Sequence, residues 1–219
     1  AETVCKANTP ETRRRTVCVF DFDGTLTTRD TLLLFIRHAC GPLRFLLGFT
    51  LFAPIIFMMK MRLFPNWKTK EMVFTHFFKG ISHSRFLQLC EDFARKHADS
   101  IRNSPAVDIL RQHLVNGDKV YVVSASIEEW VRPFLPLWTG QDAGSITFLC
   151  TKAETDTDGT LTGRFLTKNC YGPEKVSRLL EAEPDRQSYY LYAYGDSNGD
   201  SEMLAFADKG TNIKKQKLI

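Results

Sequence analysis

Two aspartates one residue apart, Asp21 and Asp23, end the apolar run Val17-Cys18-Val19-Phe20 and lead into Gly24 and Thr25. On an extended segment, residues two apart point the same way, so the carboxylates repel unless a positive charge lies between them. A hard divalent cation is the simplest such charge. A second acidic pair, Asp196 and Asp200, stands in Gly195-Asp196-Ser197-Asn198-Gly199-Asp200, again behind an apolar run. Ser124 and Ala125 follow a third run, Val120-Tyr121-Val122-Val123, and Lys175 sits early in a segment opened by Gly172-Pro173. Singly, these residues also suit turns, caps and solvated helix positions. Together they are a carboxylate nucleophile, an acid for a leaving group, a hydroxyl, an ammonium and a cation site, which is what phosphoryl transfer needs.

Residues so far apart in sequence converge only if the elements before them lie side by side. Strand-like runs are expected near 16–21, 119–126, 145–151, 189–194 and 208–213, with a hairpin tip at Asp158-Gly159. Helical stretches lie between them: Thr31 to Cys40 stopped by Gly41-Pro42, 67–79 stopped by Gly80, and 83–98 capped by Ser82. Ser104-Pro105 reads as a cap and first-turn proline of a helix stopped by Gly117. Ser126 with Glu129 reads as a capping box, placing a helix N-terminus beyond Ser124 as an anion site. Further helices start at Pro173 and Ser201. The alternation implies an α/β doubly wound parallel sheet with ligands at its carboxyl edge. Residues 1–15 form a flexible leader ending in Arg13-Arg14-Arg15, 16–27 and 105–219 form the core, and 28–104 are a helical cap inserted after the first strand.

The run Asp21-Phe22-Asp23-Gly24-Thr25 resembles the first signature of the haloacid dehalogenase (HAD) superfamily of phosphohydrolases, whose core is a Rossmann-like sheet. The resemblance extends from about residue 16 to 213. It implies Asp21 as the nucleophile that forms an aspartyl-phosphate, and Asp23 as the acid for the leaving oxygen and base for the water. It implies Ser124 as a phosphoryl donor, Lys175 as the cation beside nucleophile and phosphate, and Gly24, Thr25 and Ala125 as further substrate contacts. Mg²⁺ is the implied cofactor, held by Asp21, the Asp23 carbonyl and Asp196, with Asp200 in its surroundings. The cap and the segment Asn169-Cys170-Tyr171-Gly172-Pro173-Glu174-Lys175 resemble the phosphoserine-phosphatase-like branch, subfamily IB. Within it the chain looks most similar to the phosphatidylglycerophosphatase C group, which shares an apolar cap segment and an aspartate at the place of Asp30. Phosphoserine phosphatases usually carry a glutamate there for the substrate amine.

With 219 residues, 43% apolar and 25% charged, the chain fits one domain with an insertion. The net charge of +4 comes without a basic run that would suggest a nucleic-acid groove. Cysteines at 5, 18, 40, 90, 150 and 170 form no metal spacing, the histidines at 76, 83 and 97 form no ligand pair, and the polar first 16 residues lack a secretory h-region. A cytoplasmic protein is the expectation. The stretch between Arg44 and Lys60 carries no charge, is interrupted by Pro54, and is flanked by Arg44, Lys60, Arg62 and Trp67. It is short for a membrane span and suits a buried, re-entrant or interfacial helix pair. Peripheral membrane contact through residues 43–64 is therefore expected beside a lipid phosphate substrate such as phosphatidylglycerophosphate. The alternatives are a phosphatase of a small soluble ester, a phosphotransferase, and a non-catalytic membrane-associated or partner-binding module on the same scaffold.

Overall fold

β1 (Arg15–Phe20) is covered on both faces, and the rest of the molecule is arranged against it. Its β-branched and aromatic residues suit a central strand, and Val17, Cys18, Val19 and Phe20 are fully buried. By the two-residue period of a strand, Cys18 and Phe20 enter one core with Leu26, Val107 and Leu110. Val17 and Val19 enter the other, with Leu179, Leu191 and Met203. A computed structural model describes residues 14–61 and 63–214. The leader up to Arg13, and Arg62 of the basic flank, lie outside the described residues.

The sheet has the order β3-β2-β1-β6-β7, with β2 (Lys119–Val122), β3 (Ile146–Phe148), β6 (Tyr189–Gly195) and β7 (Lys209–Asn212). All its pairings are parallel. The chain runs outward from β1 to β3, then crosses back to β6, so the strand order reverses at β1. In such sheets the crevice at the carboxyl edge of the reversal point is where ligands bind. Helices α4 (Ser104–Val115), α5 (Glu128–Val131), α6 (Phe134–Thr139), α7 (Pro173–Ala182) and α8 (Ser201–Phe206) flank the sheet.

Between β1 and α4 the chain forms α1 (Thr31–Lys60), α2 (Asn66–Phe78) and α3 (His83–Ile101). Phe35 on α1 ties them together: its ring lies 5.3 Å from Phe78, 5.6 Å from Phe86, 5.2 Å from Phe93 and 4.9 Å from Trp130. Such aromatic pairs add about 0.5–1.5 kcal/mol each beyond their buried area. The excursion leaves and re-enters the core through one neck, where Thr28 N donates to Ile101 O (2.7 Å) and Asn103 N to Leu26 O (3.0 Å). The hairpin of β4 (Ala153–Thr155) and β5 (Leu161–Phe165) braces α2, with Thr75 Oγ1 donating to Gly163 O at 2.6 Å.

Five local expectations change. The stop at Gly41-Pro42 is a break, not an end: Gly41 takes φ 78°, ψ 165°, and α1 resumes at once. The expected helix pair in 43–64 is one limb running through Pro54, whose missing N–H falls where Thr50 is exposed and its carbonyl can reach solvent. Asn103, not Ser104, holds the cap position of α4, and its side chain reaches back to Thr25 O at 2.7 Å. The Ser126–Glu129 capping box is absent, because α5 starts at Glu128 and the Ser126 hydroxyl is used elsewhere. β2 also ends at Val122, so Ser124 lies in a loop, not against a helix N-terminus.

Candidate active site

Asp21 leaves β1 at the reversal point and is buried. Its backbone N–H donates to Tyr194 O of β6 at 2.9 Å, which fixes the turn to the neighbouring strand. α7 begins against the loop after β6, Gly172 N donating to Gly199 O at 3.0 Å. That contact delivers Lys175 into the same space. The Lys175 ammonium, 2% exposed, bridges Asp21 Oδ1 at 2.5 Å and Asp200 Oδ1 at 2.6 Å. Burial opposes its charge, yet the two carboxylates hold its pKa above the ordinary lysine value. Asp200 is raised by burial but lowered more by Lys175 and by Ser197, so it stays ionised. Its other oxygen accepts from Asp196 N, Ser197 N and the Ser197 hydroxyl at 3.1, 3.0 and 2.9 Å. Asp21 is different: burial pushes its carboxyl up to about 7 in spite of Lys175.

Asp23 is held from two sides. Thr31, the first residue of α1, gives its N–H at 2.7 Å and its hydroxyl at 2.6 Å to Oδ1, and the Ser126 hydroxyl donates to Oδ2. Trp130 Nε1 in turn donates to Thr31 Oγ1 at 3.2 Å. Burial first, then the Asp30 charge, raises the Asp23 pKa against these hydrogen bonds. A carboxyl whose pKa is raised in this way suits a proton donor. Ser124 is buried, with its Oγ accepting Ser126 N at 3.1 Å.

Asp21, Asp196 and Asp200 each offer an oxygen within 4.8 Å of the others. The donor set fits a hard cation for a specific reason: Asp196 Oδ1 is buried without a hydrogen-bond partner among the described residues, while Oδ2 pairs with Lys214. Gly24 sits against the same carboxylate with φ 77°, and a Cβ there would lie 2.3 Å from Asp196 Oδ2. Only glycine permits both that backbone conformation and that approach. The Asp23 side chain, engaged by Thr31 and Ser126, is not part of the three-acid cluster.

A cleft of about 600 Å³ opens over these groups, lined by Asp21, Asp23, Gly24, Ser124, Ala125, Lys175, Asp196 and Asp200 on the sheet side. Phe49, Ile56, Met59, Lys60, Lys70 and Val73 line it from the helical excursion. Thr25 is buried beneath the nucleophile position, its hydroxyl 3.5 Å from Asp21 Oδ2, and does not face the cleft. Thr31, Ser126, Ser197 and Lys214 escaped the sequence reading. Ser126 stood two residues past Ser124, and its spacing to Glu129 suggested a cap; nothing in sequence links Thr31 or Lys214 to the acids.

The chain matches the haloacid dehalogenase-like hydrolase family over residues 18–205. It is 33% identical over 200 residues to Protein CicA of Caulobacter vibrioides, covering 90% of this chain and 86% of that protein. A protein of unknown function from Bordetella pertussis Tohama I shares the fold with a TM-score of 0.70 at 21% identity, covering 88% of this chain and 86% of that one. A phospho-aspartyl intermediate analogue of phosphoserine phosphatase superposes with a TM-score of 0.55 at 19% identity, covering 89% and 84%.

Proposed function

The chain belongs to the haloacid dehalogenase-like hydrolase family, and from that premise we propose that it is a Mg²⁺-dependent phosphatase that cleaves a phosphomonoester through an aspartyl-phosphate. The observation that carries this reading is the Asp21–Lys175–Asp200 chain beside an Asp196 oxygen that has no hydrogen-bond partner among the described residues. Asp21 attacks phosphorus in line, and Asp23, held by Thr31 and Ser126, protonates the departing oxygen. Asp23, now ionised, takes a proton from the water that cleaves the acyl-phosphate. Lys175 neutralises the nucleophile and a phosphoryl oxygen, and Ser124 donates to another. Asp21, Asp196 and the Asp23 carbonyl would hold Mg²⁺, with Asp200 behind them. When bound, that ion supplies positive charge that ionises the acids and draws charge from the phosphoryl group.

The substrate we propose is a lipid phosphate, such as phosphatidylglycerophosphate, met at a membrane surface on its inner face. Support comes from the second limb of α1. Its inner residues Phe49, Ile56 and Met59 wall the cleft. On its outer side, Leu43, Leu46, Leu47, Leu51 and Phe57 are each 62–68% exposed. A surface helix of a globular protein turns polar residues outward, whereas this one is apolar on both sides. In sequence the uncharged part of that limb is flanked by Arg44 before it and by Trp67 and Lys68 after it, residue types that suit an anionic head-group region. The phosphoserine phosphatase among the structural neighbours favours a second reading, a small soluble phosphomonoester. In that reading Asp30, which lines the cleft and caps α1 by accepting from Leu32 N at 2.9 Å, stands nearest the place of the amine-binding glutamate.

The test is phosphate release from phosphatidylglycerophosphate in mixed micelles and from a panel of soluble phosphomonoesters, each with Mg²⁺ and with chelator. Mg²⁺-dependent release that is lost in Asp21→Asn, with circular dichroism unchanged, is the expected result. Preference for soluble esters would select the second reading, and release by Asp21→Asn would overturn the mechanism.

A further inference from the structure

The cleft has a charge distribution that the chemistry above does not use. Its acids, Asp21, Asp23, Asp196 and Asp200, lie on the sheet side, and Asp30 caps α1. On the helical side the lining holds Arg29 and Asp30 at the start of α1 and, away from them, two ammonium groups, Lys60 at the end of α1 and Lys70 in the first turns of α2; among the described residues no carboxylate lines the cleft beside these two. Their neighbours in the lining are Phe49, Ile56, Met59 and Val73, with Asn66 and Thr69 as the neutral polar groups. Lys70 is half-buried. Among the described residues neither lysine has an ion-pair partner. Lys60 is exposed and Lys70 half-buried, so both ammonium groups are open to an anion that enters the cleft.

We infer that Lys60 and Lys70 form a second anion subsite, separate from the position of the scissile phosphate, which takes a phosphodiester or second phosphate carried by the same substrate. The inference rests on the phosphatase reading and narrows its substrate class to esters that carry two phosphate groups. Lysine suits the task, because an ammonium on a flexible stem acts as a point charge on a singly charged diester without demanding a bidentate fit. The apolar wall beside the pair separates the two anionic positions with hydrocarbon, which favours a lipid phosphodiester; a free bisphosphate presents the same charges without acyl chains.

The experiment compares wild type, Lys60→Met, Lys70→Met and the double variant on two matched pairs. Phosphatidylglycerophosphate is set against phosphatidic acid in the same micelles, and fructose 1,6-bisphosphate against fructose 6-phosphate in solution. Methionine keeps the apolar stem while removing the charge. The double variant is expected to lose about tenfold more kcat/KM on the two-phosphate member than on its one-phosphate partner, through KM, as loss of a partly exposed charge contact predicts. Loss confined to the micelle pair identifies a lipid phosphodiester, and loss confined to the sugar pair a soluble bisphosphate. A ratio within about twofold of wild type in both pairs overturns the subsite. Calorimetric binding of glycerophosphoglycerol, a phosphodiester with no phosphomonoester to attack, reads the same site without turnover. Binding that depends on the two lysines in a protein inactive on every ester would retain the subsite and remove the phosphatase reading. Normal turnover with no lysine-dependent binding and no change of ratio would do the reverse.

Discussion

Asp23 receives three hydrogen bonds, two from the start of α1 and one from the loop after β2, so its orientation depends on both halves of the molecule. That position argues for a proton shuttle serving both steps, and it predicts a leaving-group signature. An Asp23→Asn variant should lose about 10²–10⁴-fold on alkyl phosphates, whose alkoxide cannot leave unprotonated. With p-nitrophenyl phosphate, whose phenolate leaves unaided, the first step survives while hydrolysis of the acyl-phosphate stalls for want of a base. Rapid mixing should therefore show a burst of about one nitrophenolate per enzyme followed by slow turnover, and no burst with an alkyl ester. Equal slowing of both substrates without a burst would remove Asp23 from the shuttle. The Asp21–Asp23 pair, Lys175 and the Asp196–Asp200 pair were legible because each follows a strand or opens a helix with distinctive turn residues. Thr31 was not, since a threonine at a helix start is ordinary and only the fold brings it to Asp23.

α7 carries Lys175 at its start and is anchored at its end by Glu183, which is buried where β1 and β2 begin. Glu183 accepts from Arg15 at 2.5 Å, Lys119 at 2.6 Å and the Tyr121 hydroxyl at 2.5 Å. Burial raises its carboxyl, but Lys119, Tyr121 and Arg15 outweigh burial and leave its pKa below the ordinary 4.5. A depressed carboxylate contributes stability that is present above its unfolded pKa and lost as pH falls through the folded value. Glu183→Gln should therefore cost about 1–3 kcal/mol in urea unfolding at neutral pH, given the partly exposed cations. The difference from wild type should shrink below about pH 4.5, and a difference independent of pH would place the effect in packing instead. Elements of this kind were readable: β1, β2 and β6 announced themselves by apolar runs, and they do deliver Asp21, Ser124 and Asp196 to one edge. Their ends were less so. Ser126 and Glu129 have the spacing of a capping box, yet Asp23 takes the hydroxyl, and a tertiary hydrogen bond displaces the local one. Pro54 signalled a break that exposure makes unnecessary, while Gly41, with its positive φ, supplies the real one.

For the molecule as a whole, the question is which direction the cleft faces. The second limb of α1 packs inward through Phe52 and Gly48, where a Cβ on Gly48 would lie 2.3 Å from the Phe77 ring, so the limb sits close on α2 and closes one wall of the cleft. Sequence alone gave an apolar stretch with basic flanks; only the packing shows which residues are spent on α2 and which remain outside. The outer set, Leu43, Leu46, Leu47, Leu51 and Phe57, is what a lipid surface would cover, and the net charge of +4 favours an anionic one. Replacing Leu47 and Phe57 together by glutamate buries no charge, since both lie on the outer side, but it sets two carboxylates against the head groups. Each buried leucine or phenylalanine is worth about 1.5–3 kcal/mol on leaving water, so association with phosphatidylglycerol vesicles should fall by at least about tenfold in a sedimentation assay. Hydrolysis of p-nitrophenyl phosphate should remain, because neither side chain lines the cleft. A double variant that still binds vesicles as wild type does would place the contact elsewhere. If wild type ignores vesicles and sediments as a dimer that the substitutions dissociate, the apolar face meets a second copy of the chain, and the cleft takes its substrate from solution.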